Sequence, residues 1–435
     1  MKRGRFILGA GMTGLAAGVA SGLPVYEASE VPGGICSSYY IRPGDNERLY
    51  STPNDREAYR FELGGGHWIH GGDPLVLHFI HSLAPMKSYA RKASVFLPQN
   101  NLLVPYPIQN HLRYLGPELA SKALHEMVEA SMAKHSVNTM ADWLRVSFGP
   151  TLCYLFFYPF HELYTASLYK LIAPQDVYKS PVDLKLAIQG AFAEVPPVGY
   201  NVTFVYPEEG LNVLAQRMAN RCDVHYGKKI VRIDLKEKVL YFEDGSYVNY
   251  ELVLSTLPLN KVVEIADLVV DEQPDPATSV LVINLGAKRG ERCPDDHWVY
   301  IPYSRAGFHR VGFYSNVDMS FLPLSARKAQ DRVSIYVEKA YLAGQKPDES
   351  EIKVLCRDVI QELQEWGWIG DVEVVEPTWI EVAYTWSWPG SQWREKALKA
   401  LEGHGIYQIG RFGRWVCQGI AESIKDGLVA GGAAK

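Results

Sequence analysis

Apolar residues recur along the chain in two rhythms, and these separate its elements. Near the N-terminus Phe6-Ile7-Leu8 forms a short continuous apolar run, as in a buried strand. Leu15-Ala16-Ala17 then opens a small-residue helix, and Pro24-Val25-Tyr26 gives a second strand. Spacing at Leu119, Ala123, Met127 and Ala130 makes residues 111–195 mainly helical, and Leu211, Leu214 and Met218 predict a helix from Gly210 to Arg221. Val224-His225-Tyr226, Ile230-Val231-Arg232-Ile233 and Val239-Leu240-Tyr241-Phe242, punctuated by Asp244-Gly245, predict a small meander. Further strands are expected at Ser279–Leu285, Trp298–Ile301 and Val311–Tyr314, then a helix near Glu351–Trp366 and a last helix from Ile420 to Val429. No apolar run reaches the ~18 residues that a membrane span needs.

The first strand runs into Gly9-Ala10-Gly11-Met12-Thr13-Gly14 and then into a helix. In that context the first glycine makes a tight turn, the second lets backbone approach a pyrophosphate, and the third packs helix on strand. Lys2, Arg3 and Arg5 ahead of an apolar stretch imitate a secretion signal, but regularly placed glycines and a strand ending in an acid do not belong to one. Glu27, at the end of the second strand, is placed to accept hydrogen bonds from a ribose. It follows Gly14 by thirteen residues, where about 20 is usual from the motif to the acid, so the first helix must be about a turn short. Gly33-Gly34 either forms a plain turn or lets backbone approach a second part of a cofactor. Together with Gly64-Gly65-Gly66-His67 it outlines a flavin cradle.

These segments, GAGMTGLAAG, YEASEVPGG and LGGGHWIH, occur in an order that resembles the FAD-binding superfamily of amine oxidases, protoporphyrinogen oxidases and UDP-galactopyranose mutases. The resemblance resumes at Val253–Leu259 and at Tyr407–Gly413, and so spans the chain. It implies an α/β fold: a Rossmann-like FAD-binding domain from residues 1–85, 200–270 and 395–435, with discontinuous α+β substrate regions. Of these, residues 86–199 are expected to be a helical insertion and residues 271–394 an antiparallel sheet. The implied FAD contacts are Gly9, Gly11, Met12, Thr13, Gly14, Glu27, Ala28, Gly33, Gly34, Gly65, Gly66, His67, Val231, Gly410, Arg411, Gly419 and Ile420.

Composition narrows the class. With 435 residues the chain has room for two or three domains. A net charge of -5 leaves no basic excess for a nucleic-acid backbone. Six scattered cysteines without a CxxC pair indicate neither a disulfide framework nor a metal site, and suit a cytoplasmic location.

Several segments resemble the mutase branch in particular. In Val104-Pro105-Tyr106-Pro107-Ile108-Gln109-Asn110 two prolines stiffen the backbone, so Gln109 and Asn110 either present amides to a nucleotide or cap a rigid loop. Period two puts Trp298 and Tyr300 on one strand face, and Arg310 is expected on the next strand, as a diphosphate ligand or as a plain surface cation. His67 either tunes a flavin through a hydrogen bond or caps its loop. Resemblance places Arg411 beside flavin or substrate, and the last helix aims its positive end at the flavin.

There are departures as well. The branch carries a diphosphate-gripping arginine near Tyr158-Pro159-Phe160-His161-Glu162, where this chain has none, and Lys170 or Lys179 would have to replace it. Cys417 and Trp388 stand where tyrosines are expected. Tyr154, Phe156, Phe157, Tyr164, Trp386 and Trp393 either stack a ligand or fill the core.

The resemblance therefore implies a sugar-nucleotide mutase in which reduced flavin, supplied with electrons by NADPH or NADH, attacks the sugar through N5. His67, Arg310 and Arg411 would be catalytic, and Gln109, Asn110, Trp298, Tyr300 and Trp388 would bind a small-molecule substrate, a nucleotide sugar, with the missing arginine arguing against UDP-galactose itself. The alternatives are an FAD oxidoreductase of the amine oxidase type and a flavin-binding protein without turnover.

Overall fold

The apolar runs at Phe6–Leu8 and Val253–Leu254 become neighbouring strands at the centre of a parallel sheet. In the computed structural model, which describes residues 3–132, 136–175, 182–199 and 201–435, this sheet is ordered Val224–His225, Val25–Tyr26, Gly4–Leu8, Tyr247–Ser255 and Ile406–Gln408. Lys2 and Lys179 lie outside the described residues. The helix Met12–Ser21 is ten residues long and ends at Gly22 in a left-handed conformation, so the shortened helix expected from the position of Glu27 is present. Its small residues let the C-terminal helix Ile420–Ala434 pack closely on it. A Cβ added at Gly427 or Gly431 would collide with the Thr13 or Ala17 carbonyl.

The segment 224–242 differs from the simple meander expected. Val224–His225 pairs parallel to Val25–Tyr26 within the main sheet, held by amides donated from Val25 to the Asp223 carbonyl and from Glu27 to the His225 carbonyl. Only Ile230–Asp234 and Val239–Phe242 join the start of Tyr247–Ser255 in antiparallel order. A short apolar run carries no information on strand direction, which tertiary pairing decides.

The second large sheet is ordered Ile369–Thr385, Ala277–Arg289, Arg332–Leu342, Arg310–Phe313, Trp298–Tyr300, Ala93–Leu97 and Leu102–Pro105. It is antiparallel except where Trp298–Tyr300 runs parallel to Ala93–Leu97. The hairpin 93–105 thus comes from the block expected to be helical. Leu281, Ile283, Val333, Ile335 and Val337 face the helix Glu349–Glu365, which buries Leu355, Val359 and Leu363 against them. The opposite face carries Val280, Val282, Tyr336 and Glu338 toward the first domain. The helical insertion packs on the platform strands through Val95, Leu97, Val104 and Trp386, and its helix Pro117–Met132 buries Ala120, Ala123 and Met127. Leu119, expected on that stripe, is 40% exposed. Ala123 and Met127 are buried as expected, and Ala120, three residues before Ala123, takes the place of Leu119. Among the described residues no helix is long and apolar enough to cross a membrane.

Candidate functional site

A cavity of about 1270 Å³ runs between the parallel sheet, the antiparallel platform and the helical insertion. It exceeds the usual range of roughly 300–1,000 Å³ for a single ligand, and leaves room for a dinucleotide and a substrate together.

One end is built from backbone. The helix Met12–Ser21 starts at Gly11 without a side-chain cap, so its first amides open toward the cavity. Gly33 donates its amide to the Ala10 carbonyl and bridges Gly11, which joins the two glycine loops into one cradle. A Cβ built on Gly11 meets nothing within 4 Å, because that position faces the open cavity, whereas one on Gly14 would collide with the Gly9 carbonyl. The second and third glycines of the motif therefore play different parts, one keeping a ligand space empty and the other packing helix on strand. Glu27 lines the cradle, its carboxylate held by amides from Ala10 at 2.6 Å and Ser29 at 2.8 Å. At the far side Gly419 and Ile420 bring the N-terminus of the last helix to the cavity wall. The vacant Cβ space, the open helix start and the acid on the neighbouring strand fit the pyrophosphate and ribose of FAD.

The Gly64–Gly66 loop lies against the platform. A Cβ on Gly65 would come within 2.8 Å of Glu338 Oε1, and one on Gly66 would collide with the Tyr336 hydroxyl. His67 follows, half-buried, its Nδ1 donating to the Gly65 carbonyl at 3.1 Å. Burial pushes its pKa down, so the ring is neutral at pH 7.

Arg310 arrives on the strand next to Trp298–Tyr300, directly opposite Tyr300 and Glu338 in register. Its Nη2 donates to both Glu338 oxygens, 2.6 Å from Oε2, and lies 3.4 Å from the Tyr384 hydroxyl. The Glu338 side chain is 2% exposed and also 3.4 Å from His309 Nε2. Burial alone would raise its pKa, but the Arg310 guanidinium and His309 hold it down at about 2. Arg411 lines the cavity too, donating to the Gln418 carbonyl at 3.0 Å, with Cys417 Sγ at 3.6 Å. A Cβ on Gly410, whose φ is +75°, would sit 2.5 Å from the Thr13 hydroxyl, which ties the arginine loop to the cradle.

The remaining wall is aromatic. Tyr164 lies between the rings of Phe160, Tyr384 and Trp386, with centroid distances of 5.4, 4.8 and 5.5 Å, and Phe160 contacts Tyr300 at 5.4 Å. Glu338, His309, Tyr336 and Tyr384 were not singled out as site residues by the sequence pattern. The one hint for Glu338 was a charge directly after the alternating apolar run Val333–Val337.

Other expected site residues lie elsewhere. Gln109 and Asn110 are fully buried in a short turn beneath the helix Leu184–Phe192, where a Cβ on Gly190 would collide with the Asn110 carbonyl. Trp298 is 4% exposed and packs on His70 and Phe204 as part of the main core. Trp388 donates its ring N–H to the Pro274 carbonyl at 2.9 Å, away from the cavity. Gly14, Ala28 and Gly65 stand just behind the lining. Val231 is 43% exposed, at a register shift between Ile230 and Arg232 that leaves it out of the ladder. Lys170 pairs with Glu162 at 2.7 Å and does not replace the absent arginine in the cavity. No group of residues that could hold a metal ion occurs among the described residues.

The fold is that of a reduced UDP-galactopyranose mutase, to which the chain is similar with a TM-score of 0.83 at 21% identity, over 99% of this chain and 95% of the other. A fatty acid isomerase from P. acnes that produces CLA superposes with a TM-score of 0.59 at 13% identity, over 98% and 97% of the two chains. Putrescine oxidase bound to putrescine gives 0.55 at 15% identity, over 100% and 99%. The sequence itself matches the family described as flavin containing amine oxidoreductase over residues 21–385. The chain thus belongs to the flavin containing amine oxidoreductase family, as an FAD-dependent enzyme.

Proposed function

We propose that the protein is a mutase-type flavoenzyme that rearranges an activated sugar without net oxidation. The observation that supports this best is the likeness to UDP-galactopyranose mutase across cradle, platform and insertion together, at a TM-score of 0.83. FAD would be held by Gly9–Gly14, Glu27, Gly33-Gly34 and the start of the last helix, and when bound and reduced it supplies a nucleophilic centre. Around it the chain's own residues orient and exclude. Arg310, fixed by Glu338, presents a pre-set cation to a leaving group on the platform side. Arg411, pinned to the Gln418 carbonyl, holds positive charge beside the start of the last helix. Neutral His67 offers a hydrogen bond without adding charge, and the Phe160–Tyr164–Trp386 wall keeps water out.

A second reading, oxidation of an amine or a carbon–carbon bond, is favoured by one feature: the charge of Arg310 is already met by Glu338 in an aromatic cavity, which suits a less anionic substrate. Anaerobic reduction, incubation with a panel of nucleotide sugars and cyanoborohydride, and mass spectrometry of the released flavin separate the two. A flavin heavier by one sugar is expected from the mutase; unmodified flavin, together with oxygen uptake on amines, would select oxidation.

A further inference from the structure

In the helical insertion, next to the Phe160 ring that contacts Tyr300, His161 stands 9% exposed among the lining residues. Its Nδ1 lies 2.7 Å from the carbonyl oxygen of Phe157, one turn back in the same helical stretch. A carbonyl can only accept, so Nδ1 carries the proton and Nε2 holds a bare lone pair. Ring contacts with Phe160, Tyr164 and Tyr169, at 5.4, 6.1 and 6.1 Å, fix the imidazole in place. Among the described residues no hydrogen bond reaches Nε2, and no charged side chain contributes to the ring's surroundings. Burial pushes its pKa down to about 4, so the ring does not become a cation near neutral pH. The result is a rigid, neutral, unpartnered acceptor on the wall of the substrate half of the cavity.

We infer that His161 is a specificity-determining residue whose Nε2 accepts a hydrogen bond from a hydroxyl or amino group of the substrate. An acceptor of this kind discriminates by sign. The diphosphate diester of a nucleotide sugar at neutral pH brings oxygen lone pairs and no proton, so it is repelled, whereas a donor group satisfies a site otherwise left unpaired. The assignment deepens the proposed function, since it puts the sugar hydroxyls or an equivalent donor, and not the diphosphate, against the insertion. It would hold for an amine substrate as well.

The test uses the FAD-loaded full-length protein as wild type, His161→Phe and His161→Gln, labelled with ¹⁵N-histidine. UDP-galactose and putrescine are titrated while flavin absorbance is followed. In the wild type, the His161 Nε2 resonance should fall in the unprotonated range near neutral pH. His161→Phe keeps the ring packing but removes the acceptor, so whichever probe binds should bind about tenfold more weakly, with FAD content unchanged. His161→Gln restores an acceptor and should recover most of that loss. A protonated Nε2 in the free protein, or equal probe affinity in His161→Phe, overturns the inference. Tight UDP-galactose binding that His161→Phe leaves intact would do so while supporting the sugar reading. Binding of putrescine alone, lost in His161→Phe, would sustain the inference and sink the sugar reading. If the wild type binds neither probe, no donor group engages Nε2 and the inference is overturned.

Discussion

Replacing Glu338 by glutamine leaves the Arg310 guanidinium against the platform without its counter-charge. The magnitude follows from the geometry. Glu338 is buried, bonded by Arg310 at 2.6 Å and flanked by His309, and its carboxyl is held at about 2 against 4.5 in the unfolded chain. At about 1.4 kcal/mol per tenfold, that depression corresponds to roughly 3 kcal/mol at neutral pH, in line with the ~3–5 kcal/mol lost when one partner of a buried pair is removed. The sign is that of a depressed acid: the contribution is complete above pH 4.5 and is lost as pH falls toward 2. Urea denaturation followed by tryptophan fluorescence should show Glu338→Gln destabilised by about 3 kcal/mol. Arg310→Met combined with Glu338→Leu, which removes both charges, should recover most of that loss. A single variant within about 1 kcal/mol of wild type, or a double variant no more stable than the single, would refute the buried pair as the anchor of Arg310.

Gly11→Val should fold normally, since its side chain enters open space, yet purify without flavin; a yellow, fully loaded variant would show that the pyrophosphate lies elsewhere. Gly14→Ala should instead fail in folding, visible as loss of soluble protein, because its Cβ meets the Gly9 carbonyl. Trp298→Ala should cost about 3–5 kcal/mol in denaturation while leaving ligand affinity unchanged, as expected of a core residue. Burial raises the Glu62 carboxyl to about 7, despite hydrogen bonds donated by Tyr206 and Ser38. A raised acid binds more protons folded than unfolded, so wild-type stability should decline as pH rises from 4.5 to about 7, and Glu62→Gln should remove that decline.

The cradle was legible in the sequence because backbone geometry leaves a residue-level trace. Gly11 is needed where a side chain would block a ligand, Gly14 where one would strike the neighbouring strand, and Glu27 where the second strand ends. Tyr300 was legible through strand alternation and Arg310 through the resemblance to the mutase branch, and the structure puts them in direct register. The substrate wall was much less so. Gln109 and Asn110 looked like ligand amides, but the helix Leu184–Phe192 covers them, and no local pattern announces which helix will close over a turn. Trp298 follows the right alternation, yet Phe204, about ninety residues away in sequence, decides that its face is core. Glu338 meets Arg310 only through pairing of the strands 310–313 and 332–342. The acceptor state of His161 depends on a single bond to the Phe157 carbonyl.

The central claim, rearrangement of an activated sugar without net oxidation, is tested most directly by anaerobic NMR of a nucleotide-sugar panel with catalytic dithionite-reduced enzyme. The account predicts new anomeric signals of a ring isomer, appearing only with reduced enzyme and continuing over many turnovers without further reductant. Conversion only under oxygen, with one equivalent of peroxide formed per substrate oxidised, would contradict it.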